Sequence, residues 1–505
     1  MAEQRGPLGT ERWLAPAVAA GALCLTTAQA AAYFARLDLS LGPRVIFQPW
    51  LVERGFVMYE QLADLHSPLM PLLLAALRPL VPDGLLLAKC ALIALLSLTT
   101  LLACVATWRA AGGRAGALAG LGAAAFCVAW SRSFGFGKLW HESFLAPLVA
   151  LLLLLPPPLL AGAREYRRWR GAWLPVVLVG LLCGVALLVK QYAVVLAGLA
   201  ALAAALPLHP WRAALARVAL LAAAAALPVL AFALYQYLRA GTLAGTFYWI
   251  VLYAFTSGYR GETAQAPTPA QFAILAQAGV LLPAAVAALL AARRQGAPLW
   301  RRLAWALALL GAASVPAYPR FELFHLQAAL PALAFISALT LVVAWRACRA
   351  ARGFVIGVVV GVALLAGAVA LRPVQLALDP EHPQHINEYS DLVPLAETLR
   401  AHLSTGERIY LFPDDEATSN LYYLLGKEPP CFWIFHYPWY MLGPIQARIV
   451  ATLEAAPPEW VVYFPNRWGE PASTPQVTSY IQAHYELAET LRWADGEVRL
   501  LRRAR

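Results

Sequence analysis

Long apolar runs dominate the first 371 residues, and short polar stretches separate them. A hydrocarbon core about 30 Å thick needs roughly 20 apolar residues in one helix. Because eleven windows meet or approach that length, the pattern predicts about 11 transmembrane helices and a mainly α, polytopic membrane protein. The windows lie near residues 13–34, 85–108, 115–131, 141–160, 172–189, 191–207, 218–238, 270–292, 303–318, 326–345 and 354–371. We expect the first window to be a retained helix rather than a cleaved signal.

The pattern changes after Leu371, where polar residues become frequent. Amphipathic helical patterns then alternate with short apolar strands, which favours a small α/β domain. The sequence therefore predicts a transmembrane domain over residues 1–372 and an α/β domain over residues 380–505. Helices are predicted at 388–403, 416–425, 443–455 and 475–484, strands at 408–413 and 459–465, and a hairpin at 485–502.

Composition supports a membrane protein, since 61% of the residues are hydrophobic and only 13% are charged. Soluble domains carry about 25% charged residues. Arginines cluster in the connections that follow even-numbered spans, and cytoplasmic loops accumulate Lys and Arg. We expect a multi-pass protein of the plasma (inner) membrane, with a cytoplasmic N-terminus and an extracytoplasmic C-terminal domain. The formal charge of +11 is explained by this topology and by anionic lipid, so no nucleic-acid partner is implied.

The first extracytoplasmic loop, residues 38–68, is long and unusually rich in charge. Asp38 and Asp64 are each candidates for a general base that removes a proton from an acceptor. The alternative is that these carboxylates are solvated or pair with nearby arginines, among them Arg44. The apolar segment 68–82 is short for a crossing and is predicted to be a helix in the membrane interface.

The first loop and the other outward connections carry polar residues that are unusual for a membrane protein. Besides Asp38 and Asp64, they are Glu60, His66, Arg132, Lys138, His141, Glu142, Lys190, Gln191, Arg320, Glu322 and His325. We expect these side chains to line a shared cavity at the outer leaflet. An ammonium suits a phosphate treated as a point charge, so Lys190 is either a phosphate contact or a lysine that extends to the interface.

Similar alternatives hold for three further candidates. His141 and Glu142 begin a predicted span, where they either line the cavity or interact with the helix dipole. Arg320 either contacts phosphate or anchors its span at the interface.

Two aromatic segments stand out. Residues 246–255 are aromatic enough to lie in the membrane interface. Residues 432–440 either contact an acceptor or the membrane, or pack in a core.

The order of these landmarks resembles the GT-C superfamily of integral-membrane glycosyltransferases. The likeness includes the bacterial relatives of dolichyl-phosphate-mannose protein mannosyltransferases and of the aminoarabinose transferase that modifies lipid A. Gly55, Tyr59, Asp64 and Pro68 match the frame of that family's first outer loop. The segment 180–190 resembles its glycine-rich span that ends in an outward lysine, and 319–331 resembles its late arginine-containing loop.

The sequence also departs from the family pattern. Asp38 stands four residues before Gly42, whereas family members have an acidic pair or an Asp-x-Gly arrangement. His66 and Ser67 precede the proline in place of a lysine or arginine, and Glu142 stands where an aspartate is usual.

The resemblance implies transfer of a sugar from a polyprenyl-phosphate donor to a lipid, glycan or protein acceptor at the outer face of the membrane. It implies an inverting single displacement with a carboxylate base, without a nucleotide or a divalent metal. The catalytic candidates are Asp38, Asp64 and Glu142; the donor-phosphate candidates are His66, Lys138, Lys190 and Arg320; other cavity candidates are Tyr59, Glu60, His141, Gln191 and His325. The alternatives are a flippase or transporter of lipid-linked sugars and a non-catalytic assembly protein.

Overall fold

The computed structural model describes most of the chain and divides it into two compact units. The described residues are 20–24, 26, 38–155, 173–205, 211–253, 265–279, 281–294, 299–318, 320–347, 384–465, 467, 472–493 and 496–504. The first unit comprises Met1–Leu37, Cys90–Ala231 and Ala264–Gln384, and the second comprises Asp38–Lys89, Phe232–Thr263 and His385–Arg505. Each unit is therefore assembled from three separate stretches of sequence.

The first unit is helical. Its helices are Gly113–Trp130, His141–Leu154, Trp173–Val189, Val194–Ala205, Pro269–Gly279, Leu281–Arg294, Leu299–Ser314 and Leu330–Ala347, with 3-10 segments at Gln191–Ala193, Val315–Ala317 and Leu323–Ala329. Two long helices, Gly84–Ala111 and Trp211–Ala240, have residues in both units.

Several helices have the length and composition needed to cross a membrane. Five such helices occur within the described ranges: Gly84–Ala111, Gly113–Trp130, Trp211–Ala240, Pro269–Arg294 and Leu323–Arg346. Shorter apolar helices are His141–Leu154, Trp173–Val189 and Gln191–Ala205. Because most of window 13–34 and all of window 354–371 lie outside the described residues, the number of eleven spans stays a prediction.

Two glycines allow a close helix contact in the first unit. A Cβ atom on Gly184 would lie 2.2 Å from the carbonyl oxygen of Ala225, and one on Gly180 would lie 2.5 Å from that of Leu221. Helix Trp173–Val189 therefore approaches helix Trp211–Ala240 at backbone distance, as small residues spaced four apart permit in membranes. Any larger side chain at Gly184 would have to displace main-chain atoms.

The second unit contains both strands and helices, with the strands in two sheets. Strands β1 (Leu39–Ser40) and β2 (Ile386–Asn387) pair in parallel. Strands β3 (Ile409–Phe412), β4 (Trp460–Tyr463), β5 (Tyr485–Trp493) and β6 (Gly496–Arg503) form a sheet in the order β3-β4-β6-β5, in which only the β3/β4 pair is parallel. Helices lie at Phe47–Glu53, Leu69–Leu77, Ala244–Phe247, Leu392–His402, Asn420–Leu425, Gly443–Ala455 and Pro475–His484.

The C-terminal elements follow the predicted periodicity closely. The helices at 443–455 and 475–484 have the predicted bounds, and the two predicted strands contain β3 and β4. The short segment after Pro68 is helical from Leu69 to Leu77, as expected. Its position at the membrane interface stays a prediction, and so does the extracytoplasmic side of the C-terminal residues.

The segment 38–68 packs into the same core as the C-terminal residues. The ring of Phe47 stacks on Tyr422 with centroids 5.4 Å apart and meets the edge of Trp433 at 5.3 Å. The main chain joins as well, because Ala63 N–H donates to Trp433 O and Trp433 N–H donates to Gln61 O. The domain boundary between residues 372 and 380 stays a prediction. By contacts, residues 38–89 belong with residues 385–505.

The expectation that residues 246–255 lie in the membrane interface stays a prediction, and two of their aromatic side chains pack in the core of the second unit. Trp249 is 3% exposed and Tyr253 is fully buried. They pack against Phe432 and Tyr440 of the same unit, with Tyr253 and Tyr440 stacked at 5.6 Å. Aromatic rings suit a protein core as well as an interface, so composition alone did not separate the two. Core packing is also the outcome for most of residues 432–440.

Candidate functional site

A buried charge cluster in the first unit joins three of the candidate residues. Lys190 Nζ donates to Glu142 Oε1 at 2.6 Å, and His325 Nδ1 lies 2.8 Å from the same oxygen. The Glu142 side chain is fully buried and that of Lys190 is 4% exposed. An ammonium in an apolar bundle must pair or face water, so Glu142 is the group that neutralises Lys190 here.

Local sequence places these groups where helices begin and end. Glu142 is the second residue of helix His141–Leu154. Helix Trp173–Val189 ends directly before Lys190, whose backbone is extended, and a 3-10 turn at Gln191–Ala193 leads into the next helix. The predicted windows on either side of Lys190 are thus two separate helices. The break lets the lysine side chain leave the helical stack and reach Glu142.

A second network in this unit is built around Gln327, which is fully buried. Its Nε2 donates to Gly135 O at 2.6 Å and to Lys138 O at 2.9 Å. Its Oε1 accepts from Ser143 Oγ at 2.6 Å. Both polar atoms of this amide are therefore hydrogen-bonded. Through them, Gln327 joins the loop that carries Lys138 to the start of the helix that carries Glu142.

The other candidates of the first unit lie at varied positions. Lys138 Nζ lies over two aromatic rings, 4.7 Å from the Trp140 centroid and 4.6 Å from that of Phe324. Arg320 is half-exposed and forms an ion pair with Glu322. Buried His141 and partly buried Gln191 begin their helical segments.

A further cluster lies in the second unit and is centred on Asp64, whose side chain is 3% exposed. Its Oδ2 accepts from Arg44 Nε at 2.8 Å and from Gln48 Nε2 at 3.0 Å. Its Oδ1 accepts from the His66 main-chain N–H at 3.0 Å and lies 2.7 Å from His66 Nδ1. Tyr59, which is fully buried, donates its hydroxyl to His66 O at 2.7 Å.

These contacts determine the charge state of the carboxylate. Burial by itself raises the pKa of Asp64, but Arg44, His66 and Gln48 together hold that pKa well below its usual value. Burial, and then the charge of Asp64, raise the pKa of Tyr59 well above the usual value, so its hydroxyl stays protonated and can donate. Asp64 is therefore an ionised anchor whose two oxygens both accept hydrogen bonds.

Asp38 and Glu60 lie apart from this hydrogen-bond set. Asp38 is exposed directly before β1, and its Oδ1 accepts from His385 N–H at 3.1 Å. Glu60 is partly buried, and its carbonyl oxygen accepts from Arg448 at 2.7 Å. The predicted convergence of all candidates on one chamber stays a prediction, because the structure groups them only within each unit.

Comparisons with known proteins can be set beside this geometry. No protein-family model and no curated protein matches the sequence. ArnT from Cupriavidus metallidurans in the apo state has 14% sequence identity and a TM-score of 0.60, covering 96% of this chain and 98% of that chain. ArnT bound to undecaprenyl phosphate has 15% identity and a TM-score of 0.57, covering 98% of each chain. The chain has the GT-C fold.

The GT-C fold extends to a larger protein as well. Arabinofuranosyltransferase AftD from Mycobacteria has 14% identity and a TM-score of 0.55, covering 98% of this chain and 40% of AftD. At identities this low, the structural similarity shows the fold of the chain alone. The chemistry of the chain depends on its own side chains.

Sequence reasoning about this GT-C fold missed two amides that organise the clusters. Gln48 and Gln327 lie in apolar surroundings, where an amide gives no charge signal. The available signal was that a glutamine in an apolar run must find partners when it is buried. The grouping of Glu142, Lys190 and His325 was anticipated because all three begin or end predicted outward connections.

Proposed function

We propose that this protein is a GT-C glycosyltransferase that transfers a sugar from a polyprenyl-phosphate donor to an acceptor at the outer face of the membrane. The observation that carries the proposal is the buried Lys190–Glu142–His325 cluster in a fold shared with a protein bound to undecaprenyl phosphate. A membrane protein without charge chemistry has little reason to keep an ammonium buried in an apolar bundle.

The proposed reaction is an inverting single displacement. The acceptor group attacks the anomeric carbon and loses its proton to a base, while the bond from that carbon to the phosphate oxygen breaks and its electron pair leaves with the polyprenyl phosphate. The departing phosphate gains negative charge in the transition state, so fixed cations accelerate this step. No nucleotide or divalent metal is needed in this scheme.

The cationic side chains supply the proposed phosphate contacts. Lys190 has three donor hydrogens, and Glu142 accepts one of them. Lys138 presents its ammonium from a loop that Gln327 fixes. Arg320 and His66 complete the candidate set. Glu142 pairs with Lys190 and holds it in place, and it does not itself need to exchange protons in this proposal.

The base is proposed to belong to the first outer loop, where Asp38 and Asp64 are the carboxylate candidates. The two differ in environment. Asp38 is exposed and accepts a hydrogen bond from the His385 main-chain N–H, whereas Asp64 is buried and accepts four hydrogen bonds. The acceptor, whether lipid, glycan or protein, has to bring a hydroxyl or amine to this loop.

The test is to incubate the purified protein in proteoliposomes with a panel of radiolabelled polyprenyl-phosphate hexoses and pentoses, together with candidate acceptors. We expect label to leave one of the lipids, and we expect Lys190→Met to reduce donor affinity and turnover. Arg294→Met, which changes an exposed arginine at the end of a helix, is the matched control and is expected to behave like the wild type. Movement of the intact donor across the bilayer without label transfer would instead support the flippase alternative and reject the proposal.

A further inference from the structure

Asp38 lies directly before strand β1, and the pairing of that strand with the C-terminal strand β2 is short. The Leu39 N–H donates to His385 O at 3.1 Å, and the His385 N–H donates to Asp38 Oδ1 at 3.1 Å. The Leu41 N–H donates to Asn387 O at 3.5 Å, which is long for such a hydrogen bond. Each strand has two residues, and even an isolated two-stranded hairpin is marginally stable in water. Side chains must therefore contribute to the pairing that holds Asp38.

The side chain of Asn420 joins β1 and β2 just beyond their ends. Asn420 is fully buried and begins a short helix. Its Nδ2 donates to Leu41 O at 3.1 Å and to Glu388 O at 2.8 Å, and these are the residues that follow the two strands. An amide nitrogen has two hydrogens to donate, so both of them are used to hold the strands together.

Glu388 reinforces the same pairing. The Ser40 hydroxyl oxygen lies 3.0 and 2.9 Å from the two carboxylate oxygens of Glu388, so the hydroxyl donates to this carboxylate. The backbone of Glu388 has a φ of 65°, a left-handed conformation that is uncommon for residues other than glycine. Such a conformation persists only where the surrounding contacts over-determine it, and the hydrogen bonds from Asn420 and Ser40 are two of those contacts. Specific side chains thus add to the main-chain pairing of these strands.

Of the two carboxylate candidates for the base, Asp64 is the less suited. It accepts four hydrogen bonds, and its contacts hold its pKa well below the usual value, so it has little affinity for a proton. The base role then belongs to Asp38, which is exposed. A general base has to lie within hydrogen-bond reach of the proton that it removes, and small displacements of a catalytic group lower the rate strongly. The rate therefore depends on how firmly β1 is held.

We propose that Asn420 is a positioning residue for the base Asp38 and that it acts through the pairing of β1 with β2. The proposal rests on the proposed glycosyl transfer and gives the C-terminal residues a role in it. In that step the acceptor oxygen or nitrogen forms a bond to the anomeric carbon, and its proton moves to the Asp38 carboxylate. The polyprenyl phosphate leaves with the electron pair of the broken bond. Asn420 acts on the strand that follows Asp38 and not on the reacting atoms.

A purely structural role is the competing interpretation of Asn420, and Gln446 supplies a matched comparison. Gln446 is 4% exposed, and its Nε2 likewise donates to two main-chain carbonyl groups, Met441 O at 2.6 Å and Ser473 O at 3.2 Å. These hydrogen bonds join C-terminal residues to one another and do not involve β1. Because each amide serves two carbonyl groups, we expect Asn420→Leu and Gln446→Leu to lower the stability of the fold to a similar extent. A difference between them in sugar transfer then reports on the base and not on stability.

The experiment measures single-turnover rates and donor affinity in proteoliposomes, with the panel of radiolabelled polyprenyl-phosphate hexoses and pentoses. We expect Asn420→Leu to lower the rate by about 10- to 10²-fold, the size of loss that a displacement of about 1 Å can cause, and Gln446→Leu to keep the wild-type rate. Donor affinity should stay close to that of the wild type, because the contact with the base develops in the transition state. In the Asp38→Asn background, Asn420→Leu should cause no further loss. Additive losses, or an equal loss in Gln446→Leu, overturn the proposal.

Amide hydrogen exchange tests the strand pairing without turnover. We expect residues 38–41 to exchange faster in Asn420→Leu than in the wild type and to be unchanged in Gln446→Leu. Ser40→Ala removes one hydroxyl group from the same pairing, so it keeps the test valid if Asn420→Leu does not fold; it should show smaller changes in exchange and in rate, in the same direction. Unchanged exchange at residues 38–41 in both variants rejects the positioning role even if sugar transfer is established. If the exchange responds but the wild type turns over no donor, the proposed function fails, and the positioning role that rests on it fails too.

Discussion

The buried pair of Lys190 and Glu142 leads to a quantitative prediction about stability. The two side chains are 2.6 Å apart and almost completely removed from solvent. Removal of one partner of a buried ion pair typically costs about 3–5 kcal/mol, because an uncompensated charge stays buried. Replacement of both partners by uncharged groups of similar size is often nearly neutral. We therefore expect Lys190→Met and Glu142→Gln each to lower the free energy of unfolding strongly. The double variant should recover most of that lost stability.

The structure also predicts an asymmetry between the two single variants. Glu142 Oε1 is shared with His325 Nδ1 at 2.8 Å. After Lys190→Met the carboxylate keeps this hydrogen bond, so the loss should lie toward the lower end of about 3–5 kcal/mol. After Glu142→Gln the ammonium loses its carboxylate partner, so the loss should lie toward the upper end.

The assay is reversible unfolding by sodium dodecyl sulfate in mixed micelles, followed by tryptophan fluorescence, with turnover of the lipid donor measured in parallel. Glu428→Gln is the matched control, because Glu428 pairs with Arg54 at 2.9 Å while 45% of its side chain is exposed. Such surface pairs contribute about 0–1 kcal/mol. The double variant should regain stability without regaining activity. A double variant as unstable as the worse single variant, or losses as small as that of the control, would refute the reasoning.

Three further predictions concern other parts of the molecule. Gly184→Val should lower the free energy of unfolding by about 1–3 kcal/mol, because the valine would overpack against the Ala225 carbonyl. The control is Gly198→Val, at an exposed helix position with open space, which should lower it by less than about 1 kcal/mol in the same assay. Gln327→Leu should cost about 1–3 kcal/mol for each buried polar group left without its partner, and it should also weaken donor binding; unchanged stability would contradict the network. Burial raises the pKa of Asp414 to about 8, above its unfolded-state value. The fold favours the protonated carboxyl group, so the contribution of Asp414 to stability is fully present below about pH 4 and is lost as the pH rises toward 8. We expect the melting temperature of Asp414→Asn to vary less with pH between about pH 5 and 9 than that of the wild type.

The secondary structure of the C-terminal residues could be predicted because local patterns determine it. The helix Gly443–Ala455 begins with Gly-Pro, and its buried residues include Ile445, Ile449 and Leu453 at helical spacing. Strand β3 is a short apolar run followed by proline, which is typical of a buried strand. Such signals lie within ten or so residues of the element they define.

Long-range pairing was beyond reach of these patterns. Asp38 and His385 are 347 residues apart in sequence and form a hydrogen bond. Nothing in the residues around Asp38 indicates that partner, so its carboxylate looked like a loop acid next to arginines. The Arg44 partner of Asp64 was foreseen as one alternative because it lies close in sequence. The roles of Gln48 and Gln327 depend on which main-chain and side-chain groups surround them, and hydrophobic periodicity does not carry that information.

The assembly of the second unit from three stretches of sequence has a consequence for biosynthesis. The ribosome makes residues 38–89 early, but the strand and the aromatic rings that complete their packing are made last. While the intervening helices insert into the membrane, Phe47 and Trp50 therefore lack the C-terminal side chains that cover them in the finished structure. A chain released before His385 is made would retain its apolar helices, but residues 38–89 would lack the partners that complete their packing. We therefore expect proteases to degrade truncated chains, because residues 38–89 stay unpacked until the C-terminal residues have been made.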